Sequence, residues 1–134
     1  MALDENFSII NKVKKGAPTP VGVPFLSMKE KILGKKYELS VTFLSPTAQK
    51  KINRLYRGKD TTTNILSFPL SKSSGEITFD LARVRDDAKD FDMTYKDFLK
   101  YLFIHGSLHL LGFEHGSTME KEEKKWLKII THVE

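Results

Sequence analysis

Residues 101–115 read "YLFIHGSLHLLGFEH". The stretch is rich in apolar residues and still carries three of the chain's four histidines, His105, His109 and His115. Thr94 and Asp97 form a capping box ahead of it and Gly112 follows it, so the spacing predicts a helix running to about Leu111. His105 and His109 are four residues apart and share one helical face, with Cβ atoms ~5–6 Å apart. Two imidazoles at that separation converge on one cation ~2.0–2.1 Å from each nitrogen. Phe98 and Leu102 lie on the same stripe and set the pair at the sheltered end. His115 cannot join them from a continuing helix. Gly112 removes that obstacle, because glycine readily adopts the left-handed conformation that ends a helix and turns the chain back. The pattern H-x3-H-x2-G-x2-H is therefore a three-ligand metal pattern with its bend built in. Three protein nitrogens leave a fourth tetrahedral position to water, the arrangement of a catalytic rather than a structural zinc. Two other readings compete: a closed site completed by Glu114 or another carboxylate, and plain hydrogen-bonded histidines on a half-buried helix. His132, near the end of the sequence, reads as a surface residue.

The flanking segments supply the rest of the fold. "YELSVTFL" (37–44) places Tyr37, Leu39, Val41 and Phe43 on one side in strict alternation, a strand signature. "FSIINK" (7–12) is a candidate first strand, and a Gly/Pro-rich connection leads from it to a helix from about Pro24 to Leu33. "SPTAQKKINRLYRG" (45–58) has Ser45 as N-cap, Pro46 in the first turn and Gly58 as stop, with Ala48, Ile52, Leu55 and Tyr56 as its apolar stripe. Pro69 confines "TNILSFPL" (63–70) to a sheet edge or strand end. "GEITFDL" (75–81) alternates Ile77, Phe79 and Leu81 after a hairpin loop. The charge-dense stretch from Asp80 to Phe91 reads as a short helix. Ser117 with Glu120 repeats the capping signal for a last helix carrying Trp126 and Ile130. Within it, "EKEEKKWLK" (120–128) mixes both signs and reads as an exposed face. These elements predict an α+β fold: a small mixed four-stranded sheet packed with several helices, the metal site on a central helix and the loop after it.

A chain of 134 residues suits one compact domain. It buries roughly two-thirds of its unfolded surface on folding, enough for a core without staples. With no cysteine, disulfides and thiolate metal sites are excluded. "MALDENFS" is acidic where a signal peptide is basic, and no stretch approaches the ~20 apolar residues of a membrane span. A soluble, cytoplasmic protein is expected. The 22 Lys and Arg residues against 17 acids give a charge of +5, which favours polyanionic partners. Lys50, Lys51, Arg54, Arg57 and Lys59 fall together in "KKINRLYRGK" with no acid among them.

The histidine spacing is also that of the metzincin proteases, H-E-x-x-H-x-x-G-x-x-H, with one difference. Position 106 is glycine where those enzymes carry the glutamate that takes a proton from the metal-bound water. Loss of a positioned general base costs ~10²–10⁴-fold. Peptide hydrolysis by that route is disfavoured.

"HGSLHLLGFEH" resembles the H-G-x-L-H-L-x-G-[YF]-[DE]-H signature of the YbeY-type endoribonucleases, bacterial rRNA maturation factors. "INRLYRGKDTTTNILSFP" (52–69) is similar to a second segment of that family, and "GEI" (75–77) stands where the family has it. The resemblance spans most of the chain, while the first forty residues match only in general character. Phe113, Glu114 and Ile65 replace a more frequent tyrosine, aspartate and valine, and the phenylalanine removes a hydroxyl.

The resemblance implies one zinc ion per chain held by His105, His109 and His115, with Arg57 a required basic residue close to it. The expected catalytic residues are Arg57 and His105. Residues 1–134 then form a single metallo-endoribonuclease-like domain. Its implied substrate is ribosomal RNA, its setting ribosome maturation, and its partners the ribosome or small-subunit assembly factors, with no membrane involved. The residues agree: an open metal site suits phosphodiester cleavage, and an arginine can meet the charge that builds on phosphate. A cleft beside an edge strand suits single-stranded or looped RNA better than a duplex. The alternatives are a metal-dependent hydrolase of peptides or small substrates, and a non-catalytic RNA- or ribosome-binding module.

Overall fold

Every second residue of the strand at 38–43 is buried, and Leu39, Val41 and Phe43 form the floor on which the helices pack. The computed structural model describes residues 2–59 and 61–133, with side chains through residue 130; the surface placement expected for His132 lies outside the described side chains. Strand β1 (Ala2–Asp4) and β2 (Phe7–Asn11) precede helix α1 (Phe25–Ile32). Strand β3 (Glu38–Phe43) and helix α2 (Pro46–Arg57) follow, then the hairpin β4 (Ile65–Ser71) and β5 (Ser74–Phe79). Helix α3 (Leu81–Ala88), a 3-10 turn (Lys89–Phe91), α4 (Tyr95–Leu110) and α5 (Ser117–Val133) complete the fold.

The α+β architecture is as expected, but the sheet has five strands, not four, in the order β1-β2-β3-β5-β4. The added strand is β1, antiparallel to β2. Its three residues are too few to show alternation, and the turn behind it is held by the Asn6 amide donating to Asp4 Oδ1 at 2.7 Å. The sheet is mixed, with β2 and β5 both parallel to β3 and β4 antiparallel to β5. Pro69 sits on β4, the edge strand, where a missing amide costs no ladder hydrogen bond.

Phe25 of α1 joins helix to sheet, its ring 5.9 Å from Phe43, 6.5 Å from Phe79 and 5.2 Å from Phe103 of α4. Helix α4 is central. It packs on β4, α1, α3 and α5, and is buried on nearly every side. Thr94 Oγ1 caps it by accepting from the Asp97 amide at 3.1 Å.

Helix α2 has the expected caps: Ser45 Oγ accepts from the Ala48 amide, and Gly58 ends the helix at φ 68°. Its buried face is only partly the expected one: Ala48 and Ile52 are half-buried. Leu55 and Tyr56 are 64% and 72% exposed, and the buried residues are Gln49 and Asn53. The helix docks on backbone carbonyls rather than on an apolar surface. Gln49 Nε2 donates to the Thr78 carbonyl at 3.2 Å, and Asn53 Nδ2 to that of Thr61 at 2.8 Å. Tyr56 turns outward, its ring edge-on to Phe68 of β4 at 5.6 Å.

Helix α4 and strand β4 meet so closely at Gly106 that a Cβ there lies 2.8 Å from Ser67 Oγ and 2.9 Å from Ile65 Cδ1. A glutamate, the metzincin residue, has no room. Gly106→Glu is expected to destabilise by more than about 2 kcal/mol through overpacking and an unpaired buried carboxylate. The fall in Tm by thermal denaturation checks it; an unchanged Tm contradicts the packing.

Candidate metal centre

The end of α4 is built by two backbone hydrogen bonds. The Phe113 amide donates to the Leu108 carbonyl and the Gly112 amide to that of His109, both at 3.0 Å. With Gly112 at φ 99°, this is a Schellman motif, which needs a residue in the left-handed region. The reversal has two consequences. It swings His115 back toward α4, and it brings the Phe113 carbonyl under the His109 ring, 3.0 Å from Nδ1. The three imidazoles then face one another, with ring centroids 4.6, 4.7 and 5.1 Å apart. One ligand atom from each lies within 4.8 Å of the other two. His105 and His109 are half-buried and His115 is exposed. Glu114 lines the same cleft but stands outside this convergent set.

Hydrogen bonding fixes which nitrogens are free. A carbonyl oxygen only accepts, so His109 Nδ1 carries a proton toward Phe113. His105 Nδ1 lies 2.5 Å from Glu123 Oε2, and a carboxylate accepts in the same way. In the neutral rings both Nε2 atoms therefore present lone pairs, and they stand 3.2 Å apart. Two nitrogens bound to one tetrahedral ion at 2.0–2.1 Å are about 3.3 Å apart. Lone pairs at this distance repel unless a cation or proton lies between them. The donor set fits a divalent transition metal. Burial first, then the neighbouring His105, lower the His109 pKa, which keeps that ring neutral and ligand-competent near pH 7.

Glu123 was not singled out by the sequence. It lies inside the segment read as an exposed face, yet it is only 6% exposed. A signal existed: Met119, Glu123 and Ile130 fall at i, i+4 and i+11, on the stripe of α5 that meets α4, and both apolar members are buried. The carboxylate also acts on Tyr101, whose hydroxyl pKa is raised by burial, then by the charge of Glu123 and a side-chain hydrogen bond to it.

The histidines open into a cleft of about 700 Å³ between α4 and edge strand β4. Arg57 lines it, together with Asn64, Ser67 and Phe91. The rotation of α2 explains this position. Gln49, Asn53 and Arg57 are spaced i, i+4, i+8, so the polar face that anchors the helix carries the arginine to the cleft at its last turn. Lys50, Lys51, Arg54 and Lys59 are exposed and lie outside the cleft lining. Asn64 is held in turn by its Nδ2 donating to Asp87 Oδ2 at 3.0 Å.

Removal of a carboxylate that orients a ligating histidine lowers metal affinity 10–100-fold. Glu123→Gln is expected to weaken zinc binding by roughly that factor, and His109→Ala by more, in competition with a chromophoric chelator. Affinity unchanged in Glu123→Gln contradicts a part for the Glu123 charge in metal binding.

Comparison with known proteins places the chain in a family. The family model described as Endoribonuclease YbeY matches residues 23–131. A protein named Endoribonuclease YbeY from Neorickettsia sennetsu is 37% identical over 106 residues, covering 71% of this chain and 74% of its own. Those of Halalkalibacterium halodurans and Bacillus subtilis are each 35% identical, over 112 and 101 residues. They cover 72% and 64% of this chain, and 69% and 64% of their own lengths. The solution structure of TM1509 from Thermotoga maritima superposes with a TM-score of 0.64 at 27% identity, covering 91% of this chain and 87% of that one. By sequence across α1 to α5 and by fold, this chain belongs to the endoribonuclease YbeY family.

Proposed function

We propose that the protein is a zinc-dependent endoribonuclease that cuts single-stranded RNA, with ribosomal RNA in ribosome maturation as its substrate. Residues 1–134 act as one domain, in the cytoplasm, alongside small-subunit assembly factors. The observation that carries this reading is the placement of Arg57 and the three histidines on one cleft. His105, His109 and His115 hold the ion, and His105 and Arg57 are the groups closest to the chemistry. When bound, zinc supplies a Lewis acid for a phosphate oxygen and makes a water more acidic.

The chain's own residues do the rest. Arg57 donates its planar fork to the phosphate and meets the negative charge that builds there in the transition state. Glu123 and the Phe113 carbonyl take the Nδ1 side of the two helical imidazoles, which fixes their orientation and leaves the Nε2 atoms facing each other. Edge strand β4 forms one wall, and an open wall of this kind takes an extended strand whose bases are unstacked. The family membership and the cleft support RNA over a peptide. So does the packing at Gly106, which leaves no space for the protease glutamate. No helix among the described residues is long and apolar enough to cross a membrane.

Arg57→Ala is expected to lower kcat on labelled single-stranded RNA by about 10²–10³-fold. Zinc content and Tm are expected to stay unchanged, with casein uncut by either protein. Affinity for the strand is expected to fall with salt, since phosphate contacts release counterions. Cleavage of casein without cleavage of RNA overturns the reading in favour of a peptidase. RNA bound but never cut, with Arg57→Ala indistinguishable from the parent, makes the protein a binding module.

A further inference from the structure

Phe91 closes the 3-10 turn between α3 and α4 with 57% of its surface exposed. A lone exposed apolar residue is ordinary. Three observations set this one apart. The turn behind it is fixed: Asp92 takes φ 53°, uncommon outside glycine, and the Asp92 and Met93 amides donate to the Lys89 and Ala88 carbonyls at 3.2 and 3.1 Å. The ring is also half used. It stacks on the fully buried Phe98 with centroids 4.9 Å apart and planes at 25°, so one face is packed and the other is open. Lastly, it stands on the cleft of the histidines, and a run of rings leads inward from it. Phe98 to Tyr101 spans 6.1 Å with planes at 18°, and Tyr101 to His105 spans 6.2 Å.

A flat ring held rigid, backed by a second ring and open on one side, meets the requirement for stacking an unpaired base. Such stacking depends little on sequence, because every base has a π face. Arg57 lines the same cleft and attracts phosphate, while Phe91 offers a ring to the base. Resting on the ribonuclease reading above, we propose that the open face of Phe91 is a stacking platform for a nucleobase of single-stranded RNA. That base belongs to a nucleotide flanking the one whose phosphate meets Arg57.

The test uses the full chain freed of metal, so that the strand stays intact, with single-stranded oligoribonucleotides carrying 2-aminopurine at successive positions. Wild-type protein is expected to quench the fluorophore at one position. Phe91→Leu keeps apolar bulk against Phe98 but loses the flat face. It is expected to abolish that quench and weaken binding on the order of tenfold, while Phe91→Trp retains both. An oligonucleotide abasic at that position is expected to bind wild type and Phe91→Leu equally. Unchanged Tm in Phe91→Leu separates lost stacking from lost fold. Wild-type affinity of Phe91→Leu for intact RNA overturns the platform, as does an equal loss on abasic and intact strands, and either leaves the ribonuclease reading standing. Wild-type protein that neither binds nor cuts RNA removes both.

Discussion

Two hydrogen bonds that carry no catalytic chemistry decide what the three histidines can do. An imidazole has one lone pair to offer, and the proton on its other nitrogen decides where that lone pair points. Glu123 holds the proton of His105 and the Phe113 carbonyl holds that of His109, so both Nε2 atoms turn toward the same space. Without these partners the same rings could present either nitrogen, or adopt other rotamers, and the cluster becomes three independent bases.

Those partners come from different levels of the structure. The Phe113 carbonyl is local, delivered by the same Schellman turn that redirects His115, so a single left-handed glycine places one partner and one ring together. Glu123 is tertiary and depends on α5 packing against α4. The adjoining face of α4 has its own constraint. At Gly106 the helix touches β4 with no space for a side chain, and this approach forms the cleft wall. Metal site and cleft thus share one helix, with the ring pair on one side and the close contact on another. The basic wall is added by α2, which presents Arg57 because its amides Gln49 and Asn53 bind backbone carbonyls.

The features legible in the sequence were those with local causes. Ser45 and Thr94 cap their helices through hydrogen bonds three residues long, Gly112 turns where only a residue free of Cβ strain turns easily, and Pro69 marks an edge strand. The spacing of His105, His109 and His115 belongs to this class, which is why the cluster could be read before any coordinates. Features with distant causes were misread. The apolar spacing of Ala48, Ile52, Leu55 and Tyr56 pointed to one face of α2, but the carbonyls that bind it belong to Thr61 and Thr78, and a hydropathy pattern does not record them. Glu123 was hidden by its neighbours Glu120, Glu122, Lys124 and Lys125, although helical spacing from Met119 and Ile130 put it on the buried stripe. Strand β1 has no pattern to read in three residues.

The most direct test of this account is a crystal structure of the zinc-loaded protein. It is expected to show a single ion bound by all three imidazoles, through Nε2 of His105 and His109, with Nδ1 of each still on Glu123 and the Phe113 carbonyl. Zinc ligated through either Nδ1, or a shell that leaves out His115, contradicts it.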